Sequence, residues 1–350
     1  MGVYVVEGAN ADFGVANGCN IINTGFIVAG AGVVVINTGP SRRYGEQLRA
    51  LIARTSREPI IRVVHLNLHP DYFLGNQAFA DVPRFATPVT RAGMQRDAKG
   101  YEDNLYRLCG DWMKGTEFLL PSVDAAPGVE RIGAHEIETV ELRGHTDSDL
   151  VLIDRTRSVV FTGGLVFSRR IPTTPHAQLP AWRDSLQVLA GWQFGTWVPS
   201  HGEVSGDNSA IASTQRYLAW IDASFRRAAE QGLEMNDVLR MPVPPEFRQL
   251  AAFSTEYVRN VANLYPRYEQ GTLTRRPDTL RVSHAGAKPV RRCSNARGNP
   301  RRAPSKSTRK PLASAPETQP ADGMFVALCV ASEAARHAAL YPPSRRHPCA

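Results

Sequence analysis

The stretch His69-Pro70-Asp71-Tyr72, which continues as FLGN at residues 73–76, decides the fold of this chain. It follows the apolar run IIRVV at residues 60–64, which predicts a buried strand. A histidine and an aspartate two residues apart at the end of a strand can both point into one pocket. Imidazole nitrogen and carboxylate oxygen together are ligands that suit zinc or a similar divalent metal.

Two later segments repeat this arrangement of a short β-rich run followed by a histidine. They are Gly144-His145-Thr146 and Ser200-His201-Gly202. Functional residues of α/β sheets commonly lie just beyond the ends of strands. We therefore expect the side chains of His69, Asp71, His145 and His201 to converge on one point.

These three segments, in this order, resemble the metal motifs of the metallo-β-lactamase superfamily, and the resemblance runs from about Val3 to His201. It implies an α/β fold, a four-layer αββα sandwich. Apolar residues at helical spacing predict extra C-terminal helices of the same domain over residues 205–275. The chain departs from the superfamily pattern at three positions. Asn67 and Tyr72 stand where the pattern has histidines, and Gly164 stands where it has a bridging aspartate.

The resemblance implies a metal-dependent hydrolase, in which metal-bound water attacks a carbonyl, thioester or related small-molecule substrate. Because the bridging aspartate is missing, we expect a degraded site that holds one zinc ion or none, rather than two. His69, Asp71, His145 and His201, in some combination, are the predicted ligands, and Gly164→Asp is expected to raise the metal content. If the histidines hold the ion, Asp71 is free to act as a general base. The alternative is a non-catalytic binding or accessory protein of the same fold.

Several neighbouring residues have two interpretations. Tyr72 either packs in the core or donates a hydrogen bond to substrate as a second catalytic residue. Asn67 either makes hydrogen bonds at the strand end or ligates a metal. His65 and His176 are auxiliary candidates that can replace a lost ligand, and His176 otherwise belongs to a surface loop. Asp71 itself can instead cap a helix over residues 73–79.

A narrower resemblance is to the quinoprotein relay system zinc metallohydrolases, carried by NQAF at residues 76–79, IPTTPHA at residues 171–177 and YVRNV at residues 257–261. It implies association with periplasmic quinoprotein dehydrogenases or cytochromes. The location is then periplasmic if an N-terminal leader is missing from this sequence, and cytoplasmic for the sequence as written.

The net charge of +8 comes from one end of the chain. Residues 285–350 contain 12 Lys and Arg against 3 Asp and Glu, together with 9 prolines, whereas the rest is nearly neutral. We therefore predict one domain over residues 1–284 and a disordered basic, proline-rich tail over residues 285–350, which a frameshift or read-through would also produce. The folded domain gives no reason to expect a nucleic-acid partner, and no apolar run is long enough to span a membrane.

The chain has five cysteines and no CxxC spacing. Cys19 and Cys109 are the two within the predicted core. They are far apart in sequence, and free structural thiols are expected there, with a disulfide as the alternative.

Overall fold

The computed structural model describes residues 2–273 and 327–332, which form two β-sheets covered by helices. The strands are β1 (Gly2–Val6), β2 (Thr24–Val28), β3 (Val33–Ile36), β4 (Ile60–Val64), β5 (Arg84–Ala86), β6 (Val123–Asp124), β7 (Gly128–Ile132), β8 (His135–Leu142), β9 (Asp149–Asp154), β10 (Val159–Phe161), β11 (Thr196–Val198) and β12 (Leu328–Ser332). The helices are α1 (Arg42–Thr55), α2 (Pro70–Phe73), α3 (Pro88–Cys109), α4 (Leu179–Ala190), α5 (Ser209–Glu230), α6 (Met235–Leu239), α7 (Pro245–Arg248) and α8 (Phe253–Leu273).

The first sheet has the strand order β12-β1-β2-β3-β4-β5-β6, and the second has the order β11-β10-β9-β8-β7. Strands β3 to β6 run parallel, as do β10 and β11, while the other neighbours are antiparallel. The two sheets meet beside the loop after β4, where the Leu66 carbonyl accepts a 2.8 Å hydrogen bond from the Leu150 amide. This contact brings the loop that carries His69 to the second sheet.

Alternation of side chains along the strands creates the four layers. In β3, Val34 and Ile36 face the core between the sheets, whereas Val33 and Val35 pack under α1. In the second sheet, β9 divides in the same way, with residues 150 and 152 facing inward and residues 151 and 153 facing the helices α4, α5 and α8. Because successive side chains of a strand point to opposite faces, a strand that is apolar throughout must be covered on both sides. The αββα sandwich predicted from the motifs is confirmed.

Local sequence signals explain where the main helices begin. The Ser41 side chain accepts a 3.1 Å hydrogen bond from the Tyr44 amide, so it caps α1 as predicted. Helices α5 and α8 pack on the outer face of the second sheet, which confirms the expected C-terminal helices. Among the described residues, none of the helices is long and apolar enough to cross a membrane.

One segment of the predicted disordered tail is ordered. Strand β12 pairs antiparallel with β1, with Gly2 opposite Ser332, and partly buried Val330 packs against the core between the sheets. An unpaired β1 would leave a row of backbone donors and acceptors at the sheet edge, and the short apolar run of the tail supplies their partners. The expectation of disorder is therefore wrong for residues 328–332. The boundary at residue 284 and the rest of the tail lie outside the described residues.

Candidate active site

A cavity of about 420 Å³ lies where the loops after β4, β10 and β11 meet. His69, Asp71 and His201 face it, and we call these residues the cavity floor. The walls come from the loop between β1 and β2, from α3, from residues 173–176 and from α8. Larger surface grooves of about 570 and 560 Å³ run along α4, but they hold none of the predicted site residues.

The fold brings the three motif histidines to one place. The rings of His69 and His145 meet edge to face, with centroids 4.7 Å apart. The Phe167 ring contacts both His145 and His201. Its centroid is 5.7 Å from that of His145, and it stacks on the His201 ring at 4.8 Å. All three histidines are buried. The structure thus groups residues that are separated by up to 132 positions in sequence.

Asp71 lies in the first turn of α2, where it faces His201. The Asp71 Oδ2 and His201 Nε2 atoms are 3.8 Å apart. The N-cap of this helix is His69, and the helical turn over residues 76–79 has Gly75 as its N-cap, so the alternative of Asp71 as a helix cap is wrong. Burial raises the pKa of Asp71 to about 7, against the opposing effects of its own backbone amide and the positive charge of Arg170. Asp71 is thus a carboxyl group whose protonation changes near neutral pH.

Two hydroxyl groups, hydrogen-bonded in series, orient the His201 ring through its Nδ1 atom. Its Nδ1 is 2.7 Å from the Ser200 hydroxyl, which is itself 2.6 Å from the Tyr72 hydroxyl. Because Nδ1 is engaged in this chain, Nε2 is the nitrogen that faces Asp71. Tyr72 is fully buried and does not line the cavity. The predicted catalytic contact of Tyr72 with substrate is therefore corrected: the phenol orients Ser200 instead.

His145 is held by the scaffold rather than directed at the cavity. Its Nε2 is 3.3 Å from the Thr173 hydroxyl, and its Nδ1 is 3.6 Å from Asp149 Oδ1. The backbone amide of His145 also donates to Asp149 Oδ2 at 3.1 Å, and the ring packs on Trp182 with centroids 4.9 Å apart. These contacts fix the ring on three sides.

The auxiliary candidates divide into two groups. Asn67 makes strand-end hydrogen bonds, since its Oδ1 accepts from the His69 amide at 2.9 Å. His65 is fully buried with its Nδ1 3.1 Å from the Tyr72 carbonyl, and it does not line the cavity, so it is not a substitute ligand. His176 does reach the cavity mouth, where its Nδ1 is 3.0 Å from His69 Nε2 and its Nε2 is 3.5 Å from Asp97.

Comparison with known proteins identifies the family. The model of the metallo-β-lactamase superfamily matches residues 17–213, which is more than half of the chain. The chain belongs to the metallo-β-lactamase superfamily. Members of this superfamily are generally hydrolases and typically bind zinc.

Solved structures of metallo-β-lactamases are similar to this chain. One from Pontibacter korlensis has 24% identity over 57% of this chain and 87% of its own, with a TM-score of 0.47. One from Hirschia baltica has 19% identity over 62% of this chain and 93% of its own, with a TM-score of 0.47. Comparison with curated proteins gave no match. Neither structural similarity adds to the assignment, which rests on the family model.

The two-zinc arrangement of the superfamily pattern does not fit this member. A Cβ atom at Gly164 would lie 1.9 Å from His145 Nδ1 and 2.5 Å from Asn67 Nδ2. The imidazole therefore occupies the space into which a bridging carboxylate would extend. Gly164→Asp therefore cannot restore the bridge while His145 keeps this position, and the predicted gain in metal content requires the His145 ring to move. The obstacle is space, since the φ of Gly164 is not in the left-handed region.

The protonation state of the three histidines, though not their arrangement, suits a metal ion. Burial lowers the pKa of His145 to about 3 and holds the pKa values of His69 and His201 well below their usual range. The three imidazoles are therefore neutral at pH 7, which is the form that ligates metals. Within residues 2–273 and 327–332, however, no three His, Cys, Asp or Glu side chains form a group that could hold a metal ion.

Sequence reasoning missed a buried arginine beside the floor. Arg170 is 1% exposed, and its guanidinium lies 3.3 Å from Glu256 and 3.8 Å from Asp12. Arg259 contacts the same two carboxylates at 2.9 and 3.0 Å. Paired arginines such as Arg169-Arg170 usually lie on a solvated surface, so burial was not expected from the sequence. The one signal for a role at the site was the position of Arg170 in the loop after β10. This cluster ties the loop between β1 and β2 to α8.

A disulfide also fixes the loop between β1 and β2. Cys19 and Cys109 form a disulfide with their Cα atoms 6.0 Å apart, so the expectation of free thiols is wrong at these positions. Sequence separation concealed the pair, because only the packing of the loop against the end of α3 brings the two together. The disulfide therefore joins two walls of the cavity.

Proposed function

We propose that this chain is a hydrolase that acts on a carbonyl, ester or thioester group of a small molecule and uses at most one metal ion. The observation that carries the proposal is the Asp71–His201 pair at the floor of the cavity. A cavity of about 420 Å³ is within the usual range for small-molecule sites, roughly 300–1,000 Å³.

Asp71 is the residue that we assign as general base. A group that accepts a proton from water near neutral pH works best with a pKa close to that pH, and burial raises the pKa of Asp71 to about 7. The 3.8 Å between its Oδ2 and His201 Nε2 allows one water molecule to hydrogen-bond both groups. That water is the nucleophile that we propose.

His201 positions this water and is itself positioned by Ser200 and Tyr72. The hydroxyl chain behind it limits rotation of the ring. Stacking on Phe167 restricts the ring further. A reacting group held in one orientation contributes more to rate than a mobile one, because less entropy is lost at the transition state.

A single metal ion, if this member binds one, would be held by histidines among His69, His145 and His201. When bound, it would supply a water molecule acidified to a pKa of ~7 and polarise the substrate oxygen. The neutral imidazoles favour this proposal, and the His145 ring, which fills the space beside Gly164, argues against a second ion.

The test combines metal analysis with substrate screening. The protein is purified with and without zinc in the growth medium, its metal content is measured, and ester, thioester and lactam substrates are offered to both forms. Asp71→Asn should lower kcat/KM by about 10² to 10⁴, the usual effect of losing a general base. Asp103→Asn, which removes an exposed carboxylate of α3, is the matched control and should leave kcat/KM unchanged. Hydrolysis that survives in Asp71→Asn would overturn the assignment.

A second function has one observation in its favour. Three residues of the superfamily pattern are replaced, by Asn67, Tyr72 and Gly164, which favours a non-catalytic binding or accessory protein that keeps only the cavity. This alternative predicts no bound metal and no turnover of any substrate class, together with saturable binding of a small molecule.

Association with a periplasmic quinoprotein or cytochrome is a further part of the proposal, and it rests on the narrower resemblance. The Cys19–Cys109 disulfide supports an oxidising location such as the periplasm, because structural disulfides are rare in reducing compartments. Co-purification with a quinoprotein dehydrogenase from a periplasmic extract would test the partner.

A further inference from the structure

Four charged residues line the cavity besides its histidines. They are Asp71 on the floor, Glu256 and Arg259 on α8, and Arg107 on α3. Glu256 and Arg259 are neutralised in the ion cluster with Arg170 and Asp12. Within the part of the chain that the structure describes, Arg107 is the one lining arginine that forms no ion pair with a carboxylate.

Arg107 is exposed, and one of its guanidinium nitrogens donates a 2.7 Å hydrogen bond to the Asn104 side chain. Both residues line the cavity, so the fork of donors lies at its rim. An arginine with free donors beside an amide is suited to bind a carboxylate or another planar anion. Solvated arginines on helix surfaces are common, so position in the cavity is what distinguishes this one.

The charge distribution of the cavity determines how an anionic substrate would lie. Asp71 is the carboxyl group of the floor, 3.8 Å from His201, whereas Arg107 is the guanidinium of the rim. An anionic group is therefore repelled from the floor and attracted to the rim. The lining also includes the apolar or aromatic residues Phe13, Ile21 and Leu108, which can contact an apolar body.

We propose that the substrate has an apolar body with a carboxylate or similar anion at one end, and that Arg107 is the specificity-determining residue that binds this anion. The scissile group then lies at the floor, at the opposite end of the molecule. This inference rests on the proposed hydrolase function for its turnover assay, and a binding assay tests it separately.

The turnover test uses two para-nitrophenyl esters of equal chain length, the anionic monoglutarate and the neutral pentanoate. Arg107→Gln should raise KM for the monoglutarate about tenfold, with little change in kcat, because the lost interaction is a hydrogen bond to a charged group. KM for the pentanoate should not change. Arg107→Lys should retain part of the preference. Arg54→Gln removes an exposed arginine of α1 away from the cavity and controls for net charge.

The binding test uses phenylbutyrate and its neutral amide, with calorimetry as the readout. The wild-type chain should bind the acid about tenfold more tightly than the amide, and Arg107→Gln should abolish the difference. Equal effects of Arg107→Gln on acid and amide, or no effect on either, would overturn the assignment of Arg107. If the wild-type chain hydrolyses neither ester while it still prefers the acid, the hydrolase proposal fails and the role of Arg107 stands.

Discussion

Gly164→Ala is the substitution whose effect the structure defines most sharply. An added Cβ would lie 1.9 Å from His145 Nδ1, so the ring must retreat by about 1.5 Å to reach an ordinary contact of 3.4 Å. The ring has little freedom to move, because Thr173, Asp149 and Trp182 hold it. Overpacking of this kind costs about 1–3 kcal/mol of unfolding free energy. Backbone strain adds nothing, since the φ of Gly164 is not positive.

The assay is urea unfolding at equilibrium, compared at a constant m-value. The matched control is Gly100→Ala in α3, where an added Cβ meets nothing within 4 Å. That substitution should be neutral or stabilising by roughly 0.5–1 kcal/mol, because alanine favours the helix. Gly164→Ala should instead destabilise the protein by about 1–3 kcal/mol.

A double-mutant cycle with His145→Ala identifies the cause. If the clash with the imidazole causes the loss of stability, removing the ring should recover at least half of the unfolding free energy that Gly164→Ala costs. This corresponds to a coupling of about 1 kcal/mol. The remainder reflects the Asn67 amide, which is also too close to the added Cβ. Equal stability of Gly164→Ala and Gly100→Ala, or a cycle without coupling, would refute the conclusion that His145 fills the space of the bridging carboxylate.

Three other outcomes follow from the buried groups and the disulfide. The kcat/KM of the wild-type chain should rise with pH and level off above about 7, since Asp71 accepts a proton only when it is ionised; a flat profile between pH 5 and 9 would contradict this role. Burial lowers the pKa of His65 from its usual 6.5 to about 3 in the folded state. Between these two pH values, His65 is therefore protonated in the unfolded state but not in the folded state. Stability should therefore fall by about 2 kcal/mol more from pH 7 to pH 5 in the wild-type chain than in His65→Gln, as measured by urea unfolding at both pH values. Cys19→Ser with Cys109→Ser should lower the unfolding free energy by about 2–4 kcal/mol, because the bridge closes a separation of 90 residues, and dithiothreitol should then have no further effect on the midpoint of thermal unfolding.

Much of the scaffold could be predicted from local patterns. The apolar run before His69 predicted β4, Ser41 predicted the start of α1, and the order of the three histidine motifs predicted the sandwich. The first two signals depend on neighbouring residues in the chain or on the period of a strand or helix, which any one sequence contains. The sandwich was instead implied by the resemblance of the motif order to the superfamily.

The roles of individual site residues were harder to predict, because they depend on atoms from distant segments. Tyr72 was one candidate for contact with substrate, but its hydroxyl is buried and lies 2.6 Å from the Ser200 hydroxyl, within hydrogen-bond distance. The strand β12 and the disulfide of Cys19 with Cys109 were missed for the same reason. Contacts across such separations have no local signal.

The sequence by itself determined which residues could take part in the chemistry: His69, Asp71, His145 and His201 follow strands in the superfamily order, and Gly164 lacks the carboxylate of that pattern. Only the tertiary structure decided what each of them does. Packing moves the His145 ring into the space over Gly164 and turns Asp71 towards His201. Burial then raises the pKa of Asp71, because a charged carboxylate is costly to desolvate. Space and solvation are properties of the folded neighbourhood, so no order of residues along the chain specifies them locally.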